Sequence, residues 1–195
     1  MKEHFRSFRY YLKLAGVAAI SRRYFVMNAF DGAMTTLGVI IGAWSSGPIQ
    51  PRIIIGAGLG MSLAMGISGF SGAYLVERAE RMGRLKELEK SLLFNLQNSI
   101  HGQASRTATL WVAFVDALSP SLAAIASISP FIAAHQNLIS VDEAAAISIA
   151  VILIILFFLG AFTGRISKER VILSGVRMLV IGVATAILLL LLGKL

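Results

Sequence analysis

Long apolar stretches alternate with short polar connections along the whole chain. Each stretch reaches about the 20 residues that a helix needs to cross the hydrocarbon core of a bilayer. Polar or Gly-Pro segments separate them, and Gly-Pro is a strong helix breaker. The pattern therefore predicts an all-α integral membrane protein with five transmembrane helices. The predicted spans are residues 24–43, 53–76, 107–134, 144–163 and 171–193.

The polar connections predict how the chain is organised around these spans. Residues 1–23 mix basic and aromatic side chains, which is typical of an amphipathic helix on an anionic membrane surface, or else of a disordered basic tail. Residues 77–106 are charged and helix-compatible, and we expect them to continue the second helix out of the membrane as a cytoplasmic connection. Spans 1 and 2 then occupy residues 24–76, and spans 3 to 5 occupy residues 107–195.

Composition and charge agree with a membrane protein and narrow its chemistry. Only 14% of the 195 residues are charged, whereas soluble domains carry about a quarter. The absence of cysteine excludes disulfides, thiolate metal sites and cysteine nucleophiles. The net charge is +8, but no polar domain carries basic residues interleaved with aromatic ones. We therefore expect no nucleic-acid partner.

The positive charges predict the orientation of the chain. Sixteen of the 18 Lys and Arg residues lie in the N-terminal lead, in the connection 77–106 and around the connection between spans 4 and 5. Only Arg52 and Lys194 lie on the opposite side. By the positive-inside rule, the N-terminus is cytoplasmic and the C-terminus lies on the other side.

Two carboxylates lie within predicted spans, where an ionised side chain costs at least a few kcal/mol. Asp31 and Asp116 are each the only acidic residue of their span. At 1.5 Å per residue, both are expected roughly 12–15 Å from the cytoplasmic face. Such residues are candidates for a functional site. For Asp116, the alternative is a protonated or hydrogen-bonded group between helices.

Three methionines are candidate soft ligands: two are expected at a similar depth to the carboxylates, and the third shares a helix face with one of them. Carboxylates and thioethers at one level suit a partly dehydrated divalent transition metal. Packing is the alternative explanation for any single methionine. The candidates are Met34 on the first span and Met61 and Met65 on the second.

Asp31 also belongs to a polar and small-residue stripe that predicts a narrow pathway or a close helix crossing. The stripe consists of Asp31, Thr35, Gly38 and Gly42. Beyond the second span, Glu77 and Glu80 are candidates for receiving a cation at the pathway entrance. Their alternative is a solvated face with Glu77–Arg81 and Glu80–Arg84 pairs.

Enzyme signatures are absent from the sequence. It contains no HExxH, no GxSxG, no P-loop and no GxGxxG before a helix. We therefore predict a protein that is not an enzyme and holds no resident cofactor.

Several short segments together carry a family resemblance. They are N-A-F-D-G at 28–32, S-L-A-M-G at 62–66, S-P-F at 129–131, L-G-A-F-T-G-R-I-S-K at 159–168 and G-V-R-M-L-V-I-G at 175–182. The first resembles the N-x-x-D-G signature of the vacuolar iron transporter family, and the others are similar to its later spans. The resemblance covers most of the membrane portion. The long metal-binding cytoplasmic domain of some members has no counterpart in the short connection here.

The resemblance implies five spans per subunit, a homodimer with its pathway at the subunit interface, and export of ferrous iron against protons. The pathway aspartate of the family corresponds to Asp31. Its second-span methionine falls on Leu63, between Met61 and Met65, and its following acidic residue falls on Ile67. Asp116 is a candidate to replace that lost acid.

The leading hypothesis is therefore a transporter that moves Fe²⁺ or Mn²⁺ out of the cytoplasm in exchange for protons. Asp31 binds the metal and exchanges a proton, Met61 or Met65 supplies a soft ligand, and Glu77 and Glu80 attract cations. A non-transporting membrane scaffold or partner-binding protein is the first alternative. Transport of another solute is the second.

Overall fold

The computed structural model describes residues 2–193, with the side chains of residues 8–193. This range contains six helices and no strand. Five of the helices, α2 to α6, are long and apolar enough to cross a membrane. The predicted all-α membrane fold with five spans is thus confirmed. The helices are α1 (Lys2–Leu14), α2 (Val17–Ser45), α3 (Pro51–Leu92), α4 (Ile100–His135), α5 (Val141–Ser167) and α6 (Val171–Leu192).

The connection between the second and third spans is largely helical, as expected. Helix α3 has 42 residues and continues unbroken from its apolar part through Leu92. Only residues 93–99 separate it from α4. The fold therefore has a helical extension of α3 in place of a separate domain.

Local backbone chemistry sets the ends of several helices. Gly16, between α1 and α2, has a φ of 63°, a left-handed conformation that glycine adopts without steric cost. At the start of α5, the Glu143 backbone N–H donates to the Ser140 hydroxyl, while the Ser140 backbone N–H donates to the Glu143 carboxylate. This capping box satisfies two backbone donors that would otherwise lack partners.

The chain forms two compact units. The first comprises Met1–Phe25 and Gly66–Leu118, and its small core contains Val17, Ala108 and Val112. In this unit α1 packs on α4, because the Phe8 and Trp111 rings meet edge to face at 5.7 Å. The Tyr11 hydroxyl also donates to the Gln103 side-chain oxygen at 2.8 Å. Lys2 and Arg6 of the predicted amphipathic segment, and Lys194, lie outside the described side chains.

The second unit comprises Val26–Met65 and Ser119–Leu195. Its helices approach closely at small residues, and the Ser121 hydroxyl of α4 donates to the Ser62 carbonyl oxygen of α3 at 2.8 Å. Large aliphatic and aromatic side chains fill its interior. They include Leu37, Ile40, Ile41, Ile54, Ile128, Phe131, Ile152 and Leu156.

A single methyl group at Gly32 is expected to destabilise this second unit by about 2 kcal/mol. A Cβ at Gly32 would lie 2.7 Å from Cα of Pro120, and backbone cannot move aside as a side chain can. Gly56→Ala is the matched control, because a Cβ there meets nothing within 4 Å. Thermal unfolding in detergent should show a clear loss for Gly32→Ala only. Equal stability of the two variants would contradict the packing described.

Candidate functional site

Asp31 lies at the midpoint of α2, 14 residues from Val17 and 14 from Ser45. Its side chain is exposed in the single chain. Within the part of the chain that the structure describes, the carboxylate has no hydrogen-bond or ion-pair partner. A charged group in the middle of an apolar helix is costly unless water, a cation, a proton or another polar surface meets it.

The two sides of α2 differ around Asp31. One side is buried in the second unit, with Ala33, Thr36 and Leu37 inaccessible to solvent. The other side presents the predicted stripe, in which Thr35 is exposed and carries a hydroxyl. Gly42 is exposed and Gly38 half-buried, and a Cβ at either position would meet nothing within 4 Å. The stripe therefore forms an open face of the single chain, lined by a carboxylate, a hydroxyl and bare backbone.

The three candidate methionines belong to the same unit as Asp31 and are all half-buried. Met34 packs against the hydrophobic core of the unit. Met61 and Met65 flank Ser62, whose hydroxyl donates to the Gly58 carbonyl oxygen. All three methionines keep part of their surface accessible, and Met34 also contributes to the core.

Asp116 lies in the first unit and is only 6% exposed. Its Oδ2 would lie 2.8 Å from a Cβ at Gly69, so α3 lacks a side chain where this carboxylate sits. Asp116 is thus a buried group at a contact between α3 and α4, in contrast to the exposed Asp31.

Glu77 pairs with Arg81 and Glu80 pairs with Arg84. These ion pairs were the alternative interpretation of the two glutamates. The Arg81 guanidinium donates to Glu77 at 3.0 Å, and Glu77 is only 3% exposed. The Arg84–Glu80 pair is longer, at 3.4 Å, and both partners are more than half exposed. Glu80 is therefore accessible from water, whereas Glu77 is a buried carboxylate with a resident cationic partner.

Tyr24 is a polar residue of the first unit that the sequence reasoning did not single out. Glu77 and Asp116, which are distant from each other in sequence, both lie within electrostatic range of this phenol. Arg23 also lies over the Tyr24 ring, 5.6 Å from its centre. The signal in the sequence was a phenol directly after two arginines at the start of an apolar stretch.

The described residues contain no group of three His, Asp or Glu side chains positioned to hold a metal ion. The predicted site residues fall in two units: Asp31, its stripe and the methionines in one, and Asp116, Glu77 and Glu80 in the other.

Fold and site together define a multi-pass helical membrane protein with an ionisable group inside a span. Comparison with known proteins is consistent with this class. Residues 85–194 match the VIT family. A protein of Methanocaldococcus jannaschii, itself described as uncharacterised, is 36% identical over 175 residues, which is 88% of each chain. The chain belongs to the vacuolar iron transporter family, a family of membrane metal-ion transporters.

The matched segment begins after the second span. It includes Asp116 and leaves out Asp31, Glu77 and Glu80. The roles of these residues therefore rest on their own chemistry and positions.

Proposed function

We propose that this protein exports Fe²⁺ or Mn²⁺ from the cytoplasm in exchange for protons. The observation that carries the proposal is the unpaired, exposed carboxylate of Asp31 at the midpoint of an apolar helix. Hydrocarbon does not tolerate that charge, but a divalent cation or a proton neutralises it. Alternate occupation by metal and proton links the two fluxes at one group.

The open face of α2 supports assembly into a homodimer. In a single chain, Asp31 and Thr35 would face lipid, which is unfavourable for both. A second copy packed on this face would enclose Asp31 in a polar pathway. The small residues Gly38 and Gly42 would let the backbones approach closely. A two-fold dimer is also the commonest way in which one chain covers a self-complementary surface.

The remaining candidates take subordinate roles in this proposal. The accessible sulfur of Met61 or Met65 would favour softer divalent ions over Mg²⁺ and Ca²⁺. Exposed Glu80 would raise the local cation concentration at the entrance, and Glu77 would join it only when Arg81 leaves. Asp116 would contribute a second negative charge within the protein. The orientation with a cytoplasmic N-terminus follows from the distribution of Lys and Arg.

Uptake by proteoliposomes tests the function directly. Vesicles with an acidic interior should accumulate Fe²⁺ or Mn²⁺ faster than vesicles without a pH gradient, because outward proton movement drives metal inward. Protein-free vesicles are the control. Failure of every divalent ion tested, together with no thermal stabilisation by micromolar Fe²⁺ or Mn²⁺, would overturn the proposal and favour a scaffold. Metal flux that ignores the pH gradient would overturn the proton exchange alone.

A further inference from the structure

A second polar feature lies in the first unit, and none of the Asp31 stripe residues belongs to it. A cavity of about 420 Å³ opens between the middle of α3 and the beginning of α4. This volume is within the range of small-molecule sites, about 300–1,000 Å³. Its lining includes Tyr74 and Arg78 from α3, Gln97 from the connection, and Arg106 and Leu110 from α4.

The electrostatics of this cavity favour an anion. Arg78 and Arg106 both line it, and no carboxylate does among the described residues. Neither guanidinium has an ion-pair partner in the described part of the chain, whereas Arg81 and Arg84 on the same helix are paired with glutamates. Two unpaired like charges beside one cavity repel each other, and a bound anion would remove that cost.

The donors match the chemistry of a phosphate group. Guanidinium groups bind phosphate oxygens through two parallel hydrogen bonds. Tyr74 and Gln97 line the same cavity, and their side chains carry neutral donors. Phosphate, with several strong acceptor oxygens, can use all four groups.

The position of the cavity indicates where such a phosphate comes from. Arg78 follows the apolar part of α3, and Arg106 precedes the apolar part of α4, so both stand where apolar helix gives way to polar helix. One turn further into the apolar segments lie Tyr74 and the exposed Leu110. Tyrosine is enriched at membrane interfaces, and basic pockets between membrane helices bind anionic headgroups. A lipid bound here would place its phosphate near the two arginines and its acyl chain against Leu110.

We propose that this cavity is a binding site for the phosphate headgroup of an anionic phospholipid. A bound lipid would bridge α3 and α4 at the level where the α3 extension leaves the membrane. Free inorganic phosphate would make the same charged contacts with the two arginines, but it has no acyl chain to contact the apolar side of the cavity.

The test uses the full-length protein in a neutral detergent and short-chain lipids. Dioctanoyl phosphatidylglycerol, dioctanoyl phosphatidylcholine and inorganic phosphate are titrated separately, with binding followed by native mass spectrometry. Phosphatidylglycerol should bind most tightly. The Arg78→Gln/Arg106→Gln variant should bind it at least about tenfold more weakly, since charge-assisted contacts are lost. The matched control is Arg22→Gln/Arg165→Gln, which removes the same charge from exposed arginines outside the cavity.

Unchanged phosphatidylglycerol binding in the cavity variant, or an equal loss in the control variant, would overturn the proposal. Inorganic phosphate binding as tightly as the lipid would assign the site to free phosphate and overturn the lipid assignment. A second measurement uses the wild-type protein, so that the test does not depend on whether the variants fold. Phosphatidylglycerol should protect Arg78 and Arg106, but not Arg22, from modification by phenylglyoxal, and absence of that protection would contradict the proposal.

Discussion

Asp31→Asn is expected to lower divalent-metal flux into liposomes by at least about 100-fold, which corresponds to about 2.7 kcal/mol of lost stabilisation along the transport path. Asparagine keeps the size and one acceptor oxygen of the side chain, but it cannot carry a negative charge or exchange a proton. A cation entering the membrane then meets no compensating charge. The measurement is initial uptake of Fe²⁺ or Mn²⁺ with an acidic vesicle interior.

Two controls separate this loss of transport from loss of structure. Asp142→Asn removes an equal charge from an exposed position in the first turn of α5, outside the candidate pathway, and should leave flux unchanged. The Asp31→Asn protein should also express and dimerise like the wild type, because its shape is conserved. Wild-type flux in Asp31→Asn would remove the main support for the proposed function. An equal loss in Asp142→Asn would point to a general charge effect.

The membrane fold was predictable because it depends on the length of apolar stretches. Each predicted span corresponds to one helix, with only Gly193 lying beyond the end of its helix, and the expected continuation of the second span appears as the long helix α3. The start of α2, the helix of the first span, was less predictable. Helix α2 begins at Val17, although the predicted span began at Tyr24, because the break lies in the left-handed conformation of Gly16. A glycine in a basic, aromatic lead gave no distinct signal of a break.

The different surroundings of Asp31 and Asp116 could not be predicted from pattern. Each is the only acidic residue of its predicted span, so local sequence treats them alike. Helices that are apolar all round have no periodic face to show which side is buried. The distinction comes from packing: Gly69 leaves room for Asp116, whereas Asp31, Thr35 and Gly42 on the open face of α2 stay exposed among the described residues of the single chain. Helix α3 contains several glycines, and only the tertiary structure shows that Gly69 is the one that faces the Asp116 carboxylate.

The ion pairs of the α3 extension were predictable from their spacing, but their energies were not. Glu77–Arg81 and Glu80–Arg84 are both i, i+4 pairs on one helix. Such spacing predicts a contribution of a few tenths of a kcal/mol for each. Burial separates them, because Glu77 and Arg81 are 3% and 13% exposed, while the other pair is mostly in water.

Arg81→Met is therefore expected to destabilise the protein by about 3 kcal/mol, whereas Arg84→Met should cost less than about 0.5 kcal/mol. Removing Arg81 leaves the buried Glu77 carboxylate without its ion-pair partner, and burial makes that charge expensive. It also removes a contact of 3.5 Å from the guanidinium to the Ala15 carbonyl oxygen, next to the break between α1 and α2. Thermal unfolding in detergent compares the two variants, which lose the same charge at positions three residues apart on one helix.

The double variant Glu77→Gln/Arg81→Met identifies the cause of that loss. With the carboxylate replaced by a neutral amide, no unpaired charge remains buried, and most of the stability should return. Equal losses in Arg81→Met and Arg84→Met, or no recovery in the double variant, would show that burial of the pair does not set its energy. Recovery would mean that Glu77 is tolerated in its buried position only because a cation neutralises it. A metal ion arriving at this carboxylate must then displace Arg81 first.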